Sequence, residues 1–88
     1  MPNDEGESNY EATRLAARRL VAMNLTELRV TRQLSQAELA RRSGVTEREL
    51  EDVEAAAGEM PIDTLSSLAG GLNVDIAFLF RDRTDHAN

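Results

Sequence analysis

Ser35-Gln36-Ala37-Glu38-Leu39-Ala40-Arg41-Arg42-Ser43-Gly44-Val45-Thr46-Glu47-Arg48-Glu49-Leu50-Glu51-Asp52-Val53-Glu54 is the stretch on which the fold turns. Ser35 and Glu38 have the spacing of a capping box, in which a hydroxyl and a carboxylate satisfy the orphan amides of a helix start. Ala37, Leu39 and Ala40 are the apolar positions of that helix, and Gly44 ends it. A glycine just past a helix enters the left-handed region at no steric cost and turns the chain sharply. Thr46 and Glu49 repeat the capping box, so a second helix opens after a very short turn. Leu50 and Val53, with Val45 in the turn, form its inward face. The pattern predicts that this helix continues to Ala57 and stops at Gly58. A short helix, a glycine turn and a capped second helix make a helix-turn-helix motif.

Toward the C-terminus, Pro61 restarts a helix through Leu65, Leu68 and Leu72, and Asn73 sits where a left-handed residue would end it. The apolar run Val74, Ile76, Phe78, Leu79 and Phe80 follows, then a polar tail over 81–88. Toward the N-terminus, Ser8 and Glu11 form a third capping box, which predicts a helix from near Asn9 after a disordered acidic tail over 1–8. Ala12, Ala16, Ala17, Leu20, Val21, Leu25 and Leu28 recur at helical spacing to about Arg32. Asn24 and Glu27 offer a second cap midway, and the spacing fits one long helix or two. The expected architecture is all-α, a compact bundle of about five helices: an N-terminal helical extension (9–24), a helix-turn-helix domain (25–80) and the polar tail.

The chain of 88 residues accommodates one domain and is too short for two separate cores. Tyr10, Phe78 and Phe80 are its only aromatics, so the core must come from aliphatic side chains. There is no Cys, which excludes disulfides, thiol chemistry and Cys-based zinc sites. The longest apolar runs are too short to span a bilayer, and Asp4, Glu5 and Glu7 stand where a signal peptide needs basic residues. A cytoplasmic protein without membrane contact is the expectation. His86, in the tail, is the only histidine; with no phosphate loop or metal-ligand spacing, neither an enzyme nor a metal or cofactor is expected.

Net charge is −6, which by itself opposes nucleic-acid binding, but the charge is segregated. Residues 1–13 carry four acids and no base, and 14–46 carry seven Arg against two acids. Residues 47–63 carry one Arg and seven acids, and 64–88 two Arg and three Asp. Arg14, Arg18 and Arg19 fit a solvated helix face, a phosphate contact or a partner-docking face.

From about Leu28 to Phe80 the chain resembles the Cro/repressor (XRE) family: Leu34-Ser35-Gln36-Ala37-Glu38-Leu39-Ala40, then Gly44-Val45-Thr46, Glu54, Thr64-Leu65, Leu68-Ala69 and Leu72-Asn73-Val74 appear in the family's order and spacing. The resemblance implies a lambda-repressor-like domain in which Arg29 pairs with Glu54 as a structural ion pair. It implies binding of double-stranded DNA as a homodimer over two half-sites, with the second helix of the motif in the major groove. Gln36 would hold phosphate. Thr46, Glu47, Arg48, Glu51 and Asp52 would face base edges, with Arg48 suited to guanine and the acids to cytosine N4. Arg41 and Arg42 would add DNA contacts, and Ile76, Phe78 and Phe80 supply apolar surface for a dimer interface.

Two features depart from the family pattern. The presumed reading helix is net negative on its outward face, although Glu47, Glu49 and Glu54 have structural roles at the helix start and in the Arg29 pair. The following loop, Ala55-Ala56-Ala57-Gly58-Glu59-Met60, holds no base, and losing a few phosphate contacts removes on the order of tenfold in affinity at physiological salt. Two functions follow: a sequence-specific, dimeric transcriptional regulator, or a protein-interaction module, antitoxin-like or regulator-binding, whose acidic helix meets a basic partner.

Overall fold

A computed structural model describes the backbone of residues 2–83 and the side chains of residues 9–83. Four α-helices, α1 (Pro2–Thr31), α2 (Gln36–Ser43), α3 (Glu47–Glu54) and α4 (Ile62–Gly71), lead to a 3-10 helix over Ile76–Phe80. No strand occurs among the described residues. The helices α2 and α3 form the helix-turn-helix. The helix α1 crosses behind α3 and the 3-10 helix, and α2 packs on α3 and α4.

The capping boxes of α2 and α3 are both closed. The Glu38 N–H donates to Ser35 Oγ at 3.0 Å while the Ser35 N–H donates to Glu38 Oε1 at 2.8 Å. These contacts hold the exposed Glu38 carboxyl below its ordinary value of 4.5, so their contribution is present above that value and fades as pH falls through the lowered one. Thr46 and Glu49 reproduce the box at 3.0 and 2.8 Å.

Leu39, Leu50, Leu65, Leu68, Leu72 and Leu79 are fully or nearly fully buried, together with Val21, Leu25 and Val53. Leu79, the fourth residue of the 3-10 helix and its one buried residue, joins this core. Gly71 lets α4 lie against Ser43 of α2; a β-carbon there would run into the Ser43 hydroxyl.

Three elements differ from the sequence expectation. First, α1 starts at Pro2 rather than at a cap near Asn9, so position 8 lies within the helix. Proline fixes φ at a helical value and lacks only an amide that a first turn leaves unused. Second, α1 runs unbroken through Asn24, which is buried and turned toward the 3-10 helix instead of capping a new helix start. At about 1.5 Å per residue such a helix is about 45 Å long, close to the molecule's longest dimension of 48 Å. Third, α3 ends at Glu54 rather than Ala57, because Ala56 turns left-handed at φ 55° and brings Met60 onto the core. Packing here overrides the helix preference of alanine.

All four helices close by the same device. An amide two or three residues past each helix end reaches back to a carbonyl five residues earlier: Leu34 to Arg29, Val45 to Ala40, Ala57 to Asp52 and Val74 to Ala69. This is the Schellman arrangement, whose pivot residue is left-handed. The pivots are Gln33 (φ 61°), Gly44 (φ 74°), Ala56 (φ 55°) and Asn73 (φ 61°). Alanine is the least suited of these, since the left-handed region costs an L-residue about 1–2 kcal/mol. Ala56→Gly is expected to raise the urea midpoint by the equivalent of about 0.5 kcal/mol, after the larger entropy of an unfolded glycine is subtracted. A lowered midpoint would show that the Ala56 pivot carries no such strain.

Candidate nucleic-acid interface

A buried polar knot positions α3. The Arg29 Nε donates to Glu54 Oε2 at 2.7 Å and the other arm of the guanidinium donates to Oε1 at 3.1 Å. The remaining guanidinium nitrogen donates to the Leu34 carbonyl at 2.8 Å. Gln36 Nε2 donates to the same Glu54 Oε1 at 2.9 Å. One carboxylate at the end of α3 thus ties down the end of α1 and the start of α2. With side chains only 14% and 7% exposed, Arg29 and Glu54 are shielded from solvent screening, and the bidentate geometry is the strong form of such a pair.

Gln36 is therefore engaged in this knot through one amide hydrogen.

On α3 the groups assigned to base edges divide in two. Thr46 is consumed by the cap, which it shares with the Glu49 carboxylate. Glu47, Arg48 and Glu51 point to solvent and Asp52 is half-buried. Arg48 Nε stands 3.4 Å from Asp52 Oδ1, with the arginine side chain 81% exposed. An exposed pair of this kind contributes at most a few tenths of a kcal/mol, so Arg48 is released at little cost. Arg41 and Arg42 are exposed on the last turn of α2, where the helix dipole favours cations.

The loop after α3 is base-free, yet α1 brings cations beside it: Arg14 and Arg18 line one surface groove with Gly58 and Glu59. Of the residues expected at a dimer interface, Ile76 packs against the core. Phe78 is half-buried, with the Arg81 guanidinium 4.2 Å above its ring. Phe80 keeps 44% of its surface exposed.

A second polar cluster escaped the sequence reasoning. Asn24, fully buried on α1, donates from Nδ2 to the Leu79 and Arg81 carbonyls at 2.9 and 3.1 Å. It accepts from Arg83 at 2.7 Å on Oδ1. Arg83 in turn pairs with Glu27 at 2.7 Å, and Arg81 approaches the same carboxylate at 3.7 Å. The signal was an asparagine between Val21 and Leu25 on an apolar stripe, a position at which a buried amide must find partners.

Among the described residues no helix is long and apolar enough to cross a membrane, and no cluster of three or more His, Asp or Glu is placed to hold a metal ion. His86 lies outside the described residues.

Comparison with known proteins adds the following. A family model described as helix-turn-helix matches residues 25–79. No curated protein sequence matches the chain. Solved structures similar to the chain include the following three. An HTH_3 family transcriptional regulator from Vibrio cholerae is 28% identical with a TM-score of 0.72, over 76% of this chain and 38% of that one; the chain thus spans well under half of the Vibrio protein. A hypothetical transcription factor, NHTF, from Neisseria is 25% identical with a TM-score of 0.75, over 81% and 82% of the two chains. The restriction-modification controller protein C.AhdI from Aeromonas hydrophila is 29% identical with a TM-score of 0.70, over 74% and 98%.

Proposed function

The chain belongs to the XRE-type helix-turn-helix family, and from that premise we propose that it is a DNA-binding transcriptional regulator, acting in the cytoplasm as a homodimer, rather than an enzyme. Residues 25–80 form the DNA-binding unit and 9–24 its helical extension. The observation that carries the proposal is the Arg29–Glu54–Gln36 knot. It holds α3 against α1 and α2 while leaving Arg48 exposed on the outward face, held only by its weak pair with Asp52, as a reading helix requires. The three similar structures, each described as a transcription factor, regulator or controller protein, support it.

On this proposal Arg48 takes guanine bidentately, Glu51 and Asp52 accept from cytosine N4, and Arg41, Arg42 and Gln36 neutralise or bond the flanking phosphates. The exposed acids discriminate as well as bind, since a carboxylate facing the wrong base edge is repelled. Such a site has modest affinity and a high proportion of its free energy in base contacts.

Fluorescence anisotropy with labelled promoter and random duplexes tests this. Saturable binding at low salt, weakened as salt is added, is the expected result. No binding to either duplex would reject it.

The exposed Glu47 and Glu51 favour a second use of the same face, docking of a basic protein partner. In that case Glu51→Gln with Asp52→Asn raises random-duplex affinity while weakening the partner. If neither affinity moves, the second use is excluded.

A further inference from the structure

Ile62 and Phe80 are large apolar side chains left 61% and 44% exposed. Both line a groove floored by Val21, Met60 and Leu65, with α1 as its wall. Beyond the groove, Tyr10 of α1 is 70% exposed, and Glu11, Ala12 and Thr13 are exposed as well. Tyr10, Arg14, Ala17 and Val21 follow one another at steps of three or four residues, so a single stripe leads from this free half of α1 into the groove. In the groove wall, Arg18 Nε is out of reach of water and has no hydrogen-bond acceptor. A buried donor left in that state costs free energy until an acceptor reaches it.

The charge order along α1 says what covers this face. Residues 1–13 hold four acids and no base, and the next six residues hold Arg14, Arg18 and Arg19. Two such helices laid parallel set like charges side by side, whereas laid antiparallel they can bring Glu11 of each copy opposite Arg18 of the other. Glu11 and Arg18 are seven residues apart, about 10 Å along the axis, which is too far to pair within one helix. A two-fold axis crossing between Arg14 and Leu15 brings each onto the other's counterpart.

We infer that α1 pairs with α1 of a second copy of this chain, antiparallel. Glu11 of each copy supplies the acceptor for Arg18 of the other, and Tyr10 of each enters the other's groove against Ile62 and Phe80. The pairing is expected to dissociate in the micromolar range. The pairing deepens the dimeric regulator proposed above and moves its interface from the 3-10 helix to α1, keeping only Phe80.

Sedimentation velocity on the full chain without DNA, from about 1 to 100 μM, tests it. The wild type is expected to form a dimer that Glu11→Arg or Arg18→Glu each weakens about tenfold or more. The two reversals together restore it to within about threefold, because the pair is re-formed with its signs exchanged. Tyr10→Ala weakens it as well, with α1 helicity unchanged by circular dichroism. A monomer throughout that range overturns the inference, as does a dimer indifferent to the single reversals or a doubly reversed chain no tighter than the singles. A monomer that still binds duplex defeats only the pairing; a dimer that ignores duplex defeats only the DNA proposal.

Discussion

Glu54→Ala lowers the stability of this domain by about 3–5 kcal/mol, the cost of leaving a buried guanidinium without its counterion. The magnitude rests on exposure. Arg48 and Asp52 form an ion pair too, but in water, and losing it is worth at most a few tenths of a kcal/mol. Arg29 and Glu54 are 14% and 7% exposed, and the Glu54 carboxylate accepts three hydrogen bonds from two residues. Removing it orphans donors on α1 and α2 together. For a domain of this size about 3 kcal/mol lowers the melting temperature by more than 10 °C, and thermal melts of the wild type and Glu54→Ala measure it. The double replacement Arg29→Met with Glu54→Leu removes both charges and is expected to recover most of the loss, since an apolar pair needs no counterion. If Glu54→Ala costs under about 1 kcal/mol, the knot is screened as a surface pair would be and does not hold α3 in place.

Asn24→Ala is the second large effect, at about 2–3 kcal/mol. The substitution removes two donated hydrogen bonds and leaves the Leu79 carbonyl in a buried site without its donor, and each orphaned buried group costs about 1–3 kcal/mol. The loss is local in its consequences. The Asn24 amide holds the end of the 3-10 helix to α1, so amide exchange at residues 79–81 accelerates more than exchange in α2 or α3. Arg83→Ala, by contrast, removes a partner that is itself 28% exposed and costs under about 1 kcal/mol. Wild-type stability for Asn24→Ala, or uniform acceleration of exchange across the domain, would show that the cluster is not a separate latch.

The two predictions differ in how visible their residues were beforehand. Arg29 and Glu54 stand at positions that the family resemblance marks, and the capping boxes at Ser35 and Thr46 are local rules operating over three residues. Both sets survive translation from sequence into coordinates because neither depends on distant packing. Asn24 was read as a cap because its local signature is that of a cap. Its partners are 55, 57 and 59 residues away, beyond any short-range rule. The end of α3 failed for the same reason: the run Ala55-Ala56-Ala57 favours helix locally, and only the seating of Met60 on the core turns Ala56 left-handed. At the candidate site the outward residues of α3 followed from the position of Leu50 and Val53, whereas the involvement of Gln36 with Glu54 and the approach of Arg14 and Arg18 to the loop required the packed chain.

The acidity of α3 takes on a definite meaning in this structure. Glu49 belongs to the cap and Glu54 to the knot, which leaves Glu47, Glu51 and Asp52 around Arg48 as the outward face. On the proposed function, one weakly paired cation among three acids makes a reader whose affinity depends on the base opposite Arg48, with Arg41 and Arg42 meeting the flanking phosphate charge. Without Arg48 the remaining face is expected to repel DNA.

Selection from a pool of random duplexes by the wild type and by Arg48→Ala tests this account most directly. The wild type is expected to enrich a guanine-containing motif, and Arg48→Ala to lose that preference by about 1–3 kcal/mol, roughly tenfold to a hundredfold in enrichment. Enrichment of no motif by the wild type, or of the same motif by Arg48→Ala, would contradict α3 as the DNA-reading helix.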